Sequence, residues 1–408
     1  MRNLLLSVYY AFFALSVLSF SVLDIAGIAH ASGSGPIPDQ WVSLLKRMVE
    51  TNSSSDNPEG LEKMRAILIP ELKVLGFQTR TVELEGQHKI LIADFAHEKP
   101  ELLLMGHVDT VFSKTSSFQK FGIQNDRYLG PGVIDMKGGN TLMLHVLSEL
   151  KKSGLSLKKI RVLINDDEEL GSPFSKSTYM NLVKGMTHAL VFEPGLPNSA
   201  VVSSHSGVQD MQLTVKGKAA HAGMDHEKGV NACVELANKI IKLSRLTDYQ
   251  RKLKVNVGVM KGGTKANIVC DEASAVIDIR YIKKEDLDFI LAEIEKIKNE
   301  STVHNSLLNL SPQAELKPIS NMVNMPEEAS ASILKVIQSL SSQLGHMIQG
   351  QYVGYGSDGG PLAQAGLSVL VGLGPYGGGM HTDQEFMDFA SYQERFKLNT
   401  LLIKELLK

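Results

Sequence analysis

His107 and Asp109 close the stretch Met105-Gly106-His107-Val108-Asp109-Thr110, which follows directly on the apolar run Leu102-Leu103-Leu104. A short apolar run of this kind reads as a buried parallel strand, and ligands sit beyond the carboxyl ends of such strands. Residues two apart on an extended chain share a face, so His107 and Asp109 point the same way. A metal-ligating His usually passes its second ring proton to a carboxylate, and His-x-Asp supplies both groups. Two later strands also end in acids. Ile160-Arg161-Val162-Leu163-Ile164 runs into Asn165-Asp166-Asp167-Glu168-Glu169, and Ala189-Leu190-Val191-Phe192 runs into Glu193-Pro194-Gly195. Asp135 lies between Gly132 and Gly138, and His381 follows Gly377-Gly378-Gly379, where glycine permits close backbone approach.

Taken singly, each residue has an ordinary explanation. Asp135 suits a helix N-cap, Glu168 and Glu169 a solvated loop, and His381 an exposed turn. Taken together, His107, Asp135, Glu168, Glu169, Glu193 and His381 make a nitrogen and oxygen donor set that suits zinc. Such a set exceeds the need of one dication. Two dications sharing a bridging carboxylate, roughly 3.5–4 Å apart, fit it better.

The elements that must position these groups alternate between strand and helix. Helical periodicity covers residues 39–51 and 59–75, and residues 77–84 and 89–95 read as strands joined by Glu85-Gly86-Gln87. Residues 140–152 form an amphipathic helix. The pattern predicts an α/β domain with a mostly parallel sheet covered by helices on both faces. Near Ser206-Gly207 the grammar changes. Residues 208–216, 253–259 and 273–281 read as strands, 232–244 and 285–298 as helices, and 307–310 as a last short strand. That order is the signature of a ferredoxin-like α+β domain, inserted here because the α/β style resumes near Lys317. The expected division is residues 1–31 as a signal peptide, 32–206 and 316–408 as the two segments of a catalytic domain, and 207–315 as the insert.

A chain of 408 residues can bury more than one core. A formal charge of −2, with no run of like charge beyond the four acids at 166–169, gives no case for nucleic-acid or membrane-surface binding. Arg2, a long apolar stretch and Ala29-His30-Ala31 have the form of a secretory signal, with cleavage expected after Ala31. The product would be periplasmic or secreted, without stable membrane association; retention as an uncleaved anchor stays open. The only cysteines, Cys233 and Cys270, are expected to be two small buried side chains, since no spacing rule tells whether they can be joined.

Gly106-His107-Val108-Asp109-Thr110-Val111, Gly132-Val133-Ile134-Asp135-Met136-Lys137-Gly138, Asp167-Glu168-Glu169-Leu170-Gly171-Ser172, Glu193-Pro194-Gly195 and Gly379-Met380-His381 occur in the order and approximate spacing of one family. The chain resembles the di-zinc metallopeptidases that include bacterial glutamate carboxypeptidase, aminoacylase, peptidase T and succinyl-diaminopimelate desuccinylase. The resemblance implies two Zn2+ ions, replaceable by Co2+ or Mn2+. Asp135 would bridge them, with His107 and Glu193 on one and Glu169 and His381 on the other. Asp109 would orient His107, and Glu168 would be the general acid/base. The inserted domain would mediate a homodimer, and His221 would stabilise the oxyanion, often across the interface. Asn267 and Arg280 match residues that bind substrate carboxyl or carbonyl groups.

Two departures stand out. Cys270 stands where relatives often have Pro, and Lys317-Pro318 replaces an Arg ahead of a Pro, keeping the charge without the planar fork. The implied activity is hydrolysis of an amide beside a C-terminal, acidic residue of a small peptide or N-acyl amino acid. An aminoacylase with the same metals is the enzymatic alternative. A metal-dependent binding protein is the alternative from another class, and Glu168 weighs against it, because a pure binder has no use for an extra acid beside its ligands.

Overall fold

The computed structural model describes residues 37–408; the expected signal segment and its cleavage after Ala31 lie outside the described residues. The central sheet has six strands, in the order Gln78–Glu83, Lys89–Asp94, Ile160–Asn165, Leu102–His107, His188–Val191, Ser368–Leu370. The first two join antiparallel and the last four run parallel, so the sheet is mixed with a parallel heart. Leu102 and Leu104 face one helical layer, while Leu103 and Met105 face the other. Both faces are therefore buried, which is why the strand reads as an unbroken apolar run. The helices Asp39–Val49, Pro58–Val74, Gly138–Lys152 and Phe389–Leu406 supply the first layer.

The second domain is a four-stranded antiparallel sheet in the order Lys254–Gly262, Glu272–Tyr281, Gly207–Lys216, Gln313–Met322. Burial alternates residue by residue along Glu272–Tyr281, as a sheet with one covered face requires. The helices Ala232–Ser244 and Lys284–Asn299 cover that face, and a separate core fills the gap. The expected ferredoxin-like pattern is present, but its boundary lies further along the chain than residue 315. Residues 307–310 form a turn closed by the Asn305–Leu310 bridge, and the last strand runs from Gln313 through Lys317 to Met322. The chain leaves the catalytic domain at His205 and returns at Met325, where the two crossings pair antiparallel.

A second correction concerns the cysteines. Cys233, in the first turn of its helix, and Cys270, just before the strand Glu272–Tyr281, form a disulfide with their Cα atoms 5.7 Å apart. Among the described residues, no helix is long and apolar enough to cross a membrane.

Candidate metal centre

The sheet brings the expected ligands to one edge. His107 ends its strand, and its carbonyl accepts a hydrogen bond from Asn140 Nδ2 at 2.6 Å. A Cβ on Gly106 would stand 2.3 Å from Asn140 Oδ1, so only glycine allows the helix to approach this closely. His107 Nε2 lies 3.2 Å from Asp135 Oδ1 and 3.6 Å from Glu193 Oε1. On the other side, His381 Nε2 lies 3.3 Å from Asp135 Oδ2 and 3.4 Å from Glu169 Oε2. Asp135 thus turns one oxygen to each histidine, the disposition a bridging carboxylate needs.

The acidic run Asp166-Asp167-Glu168-Glu169 divides in two. Asp166 is fully buried against Arg65, with Nη1 to Oδ2 at 2.5 Å, and is flanked by His88. Asp167 Oδ2 accepts from the Phe174 and Ser175 N–H groups, at 2.8 and 3.0 Å. Those two acids build the turn. Glu168 and Glu169 are left to face the site, and Asp109 holds them there: its carboxylate accepts from Glu168 N at 3.2 Å and Glu169 N at 3.0 Å. Asp109 Oδ1 also stands 3.3 Å from His107 Nδ1, so one buried carboxylate orients the histidine and clamps the glutamate turn together.

Asp358, beyond the glycine-rich Gly354-Tyr355-Gly356, takes donors from Asn165, Ser172 and Tyr179 and so ties that loop to the sheet edge. Sequence reading missed Arg65, Asp358 and Glu385, because each acts through a partner far along the chain. The acidic run was the one available hint, since four adjacent acids need groups to hold them.

The electrostatics favour a cation. Burial, reinforced by the Asp135 charge and only partly opposed by His107 and His381, pushes Glu169 and Glu193 up to about 7. Burial and the neighbouring Glu193 raise Glu168 well above the usual carboxylate range. Asp135 is held low despite its burial by hydrogen bonds from His107 and His381. Contacts with Asp135 and Glu169 raise His381 to about 10. Buried acids crowded in this way compete for protons until positive charge arrives. Glu193 Oε1 is also buried without a hydrogen-bond partner, an expensive arrangement that a metal ion would satisfy. His107, Glu168 and Glu193 on one side, and Asp135, Glu169 and His381 on the other, each place donor atoms within 4.8 Å of one another. The donor set fits a metal pair.

Residues 203–305 match the family model described as the peptidase dimerisation domain. Carboxypeptidase G2 of Pseudomonas sp. (strain RS-16) is 30% identical over 379 residues, covering 90% of this chain and 89% of that protein. The chain belongs to the M20 peptidase family. As a member it is a metal-dependent hydrolase. A tripeptidase from Staphylococcus aureus shares the fold with a TM-score of 0.75 at 20% identity, covering 91% of this chain and 100% of that one. YXEP of Bacillus subtilis, a dinuclear metal binding peptidase from the M20 family, aligns with a TM-score of 0.62 at 13% identity, over 90% of this chain and 98% of that one.

The residues expected in this M20 chain to serve the oxyanion (His221) and to bind substrate (Asn267, Arg280 and Lys317) all lie in the second domain. His221 lies exposed on the second domain, its Nδ1 accepting from the Gly223 and Met224 N–H groups. Asn267 is exposed on the adjoining loop, where its carbonyl accepts from Ala222 N. Arg280 is gripped by Asp278, with Nε to Oδ1 at 2.9 Å and Nη2 to Oδ2 at 2.7 Å, and Nη1 reaches the Gly354 carbonyl at 3.4 Å. Lys317, expected to bind substrate, is exposed and paired with Glu315 at 2.8 Å on the edge strand of the second sheet.

Proposed function

We propose that this protein is an exported di-zinc exopeptidase that removes a C-terminal, acidic residue from a small peptide or N-acyl amino acid. The likeness to Carboxypeptidase G2, which spans nine-tenths of the chain, carries the reading. Export is supported by the disulfide, because such bonds persist in oxidising compartments. The acidic preference is supported by a pair of cations. Lys254 is the cross-strand partner of Arg280, and both reach Gly354. Gly354 precedes Tyr355, whose phenol is raised by burial and by the charges of Glu193, Asp135 and Glu168. A substrate carboxylate entering between the domains meets this positive edge.

His107, Asp135 and Glu193 would hold one ion, and Asp135, Glu169 and His381 the other. A bound pair supplies Lewis acidity toward the scissile carbonyl and makes water a stronger acid. Within this frame the Glu168 carboxylate takes a proton from the attacking water and returns it to the departing amine. Asp109 keeps Glu168 and His107 in register through these steps. The chain acts as a homodimer through its inserted domain, with His221 serving the oxyanion from a second copy.

A second reading, an N-acyl amino acid deacylase on the same centre, is favoured by the Asp278 grip on Arg280 and the exposure of Lys317. A panel of N-acyl glutamates, N-acyl leucines and their carboxamides separates the two. The carboxypeptidase reading expects a glutamate preference and no cleavage of carboxamides. Equal turnover of glutamate and leucine substrates favours the deacylase, and cleavage confined to carboxamides defeats both.

A further inference from the structure

Glu385 lies four residues beyond His381, and its side chain is completely buried. Its Oε1 accepts from Ile134 N at 2.9 Å and Asp135 N at 3.2 Å, and its Oε2 accepts from Gly132 N at 3.0 Å. Both oxygens are occupied by backbone donors, so Glu385 is neither an open ligand nor a free base. What it joins is informative. The turn that carries it also presents His381, through Gly379 at φ +71° and His381 itself at φ +63°. A Cβ on Gly379 would stand 2.4 Å from the Gln384 carbonyl, so the turn is closed tightly enough to fix His381 relative to Glu385. Thr382 stitches it further, its N–H and Oγ both donating to the Gly379 carbonyl.

The opposite turn is equally constrained. Gly132 has φ +69°, and its carbonyl accepts from Lys137 N at 2.9 Å. One buried carboxylate therefore bolts together the two backbone segments whose side chains, Asp135 and His381, face each other at 3.3 Å.

We propose that Glu385 is a positioning residue for the metal pair: by accepting from three amides of the opposite turn it sets the Asp135 carboxylate against His381 and His107 before any ion arrives. This rests on reading the cluster as a metal site. Carboxylates outside the ligand sphere that orient ligands typically govern about 10- to 100-fold in metal affinity. Glu385→Gln preserves size, and its one remaining carbonyl oxygen can serve Ile134 and Asp135. Its amide nitrogen then meets the Gly132 N–H, donor against donor.

The test is competition between the full chain and a chromophoric chelator, read with Zn2+ alone, for wild type, Glu385→Gln and the control Glu394→Gln. At least one equivalent is expected to bind about tenfold or more weakly in Glu385→Gln and to stay unchanged in the control. A smaller loss on both equivalents overturns the proposal, as does a loss seen only as a lower thermal midpoint of the metal-depleted chain. Should the substitution unsettle the fold, hydrogen exchange on the wild-type chain decides. The Ile134 and Asp135 amides are expected to be protected without metal, and exchange at unstructured rates overturns the proposal. Wild type that binds no Zn2+ at all refutes the metal reading itself, and an unexpected substrate preference touches neither result.

Discussion

Replacing Glu168 by Gln tests the division of labour at the centre. Glu168 is buried beside His107 and Glu193, close enough to be a ligand on distance alone. Two roles are therefore open to it, and they predict opposite results. The His107 side already has three protein donors in His107, Glu193 and Asp135, so a fourth is not required. As a base, Glu168 must accept a proton, which an amide cannot do. General acid/base catalysis contributes about 10²–10⁴-fold, or roughly 3–5 kcal/mol at 1.36 kcal/mol per decade. Glu168→Gln should lower kcat by that factor, leave KM nearly unchanged and retain two metal equivalents per chain.

The pH profile gives a second measure. Without cations, burial and the Glu193 charge hold Glu168 well above the carboxylate range. A bound pair draws it down, so the base is ionised at neutral pH and activity falls as acidity protonates it. That acid limb of kcat should disappear in the variant. The assay is steady-state kinetics with saturating Zn2+, alongside elemental analysis of the same preparation. Turnover within tenfold of wild type, or the loss of one metal equivalent, would show that the base has been misassigned.

Two further outcomes concern the frame. His205 is buried at the domain crossing, where Nδ1 donates to the Ser206 carbonyl at 2.9 Å and Nε2 accepts from Ser357 Oγ at 3.0 Å. Burial lowers its pKa from 6.5 to about 4, so in that window the unfolded chain binds the extra proton and stability falls as pH drops. Between roughly pH 7 and pH 5 this costs about 2 kcal/mol. Urea unfolding of the metal-depleted chain should show His205→Asn losing less by about that amount, and an undiminished loss would refute the assignment. The disulfide closes a loop of sequence separation 37, which chain entropy values at about 4 kcal/mol. Replacing both cysteines by serine should lower the unfolding midpoint of the inserted domain in non-reducing buffer, and an unmoved midpoint would show that the bond does not constrain that unit.

The parallel strands were legible because burial on both faces leaves a continuous apolar run that stops abruptly at the sheet edge. Leu102–His107 ends at its first polar residue, and Ile160–Asn165, apolar but for Arg161, ends at Asn165 just before the acids, so strand and candidate ligand were read from one pattern. The domain boundary was misplaced for an equally local reason. Lys317-Pro318 looks like a break, since proline removes a ladder donor. Gln313–Met322 is an edge strand, however, and the register shifts between Pro318 and Ser320, the setting in which a strand tolerates proline. The cysteines were opaque because spacing says nothing of whether a helix start and a strand entry will meet.

Within the centre, legibility tracked sequence distance between partners. His107 and Asp109 advertise one another two residues apart, whereas Arg65 meets Asp166 across 101 residues and Glu385 meets Gly132 across 253. Residues that would touch a metal pair come from a short menu of donor side chains, here His, Asp and Glu, and chemistry therefore narrows them in advance. Those that hold the ligands need only a charge or an amide, and a buried glutamate four places after a histidine looks like any surface acid until the opposite turn is in view. Arg280 shows the converse. Residue type pointed to a carboxylate, and Asp278, two residues earlier on the same strand and so on the same face, supplies one. On the proposed role of Arg280 a substrate acid would share or displace that grip, so Asp278→Asn should lower KM for N-acyl glutamates in steady-state kinetics, and a raised KM would refute that role.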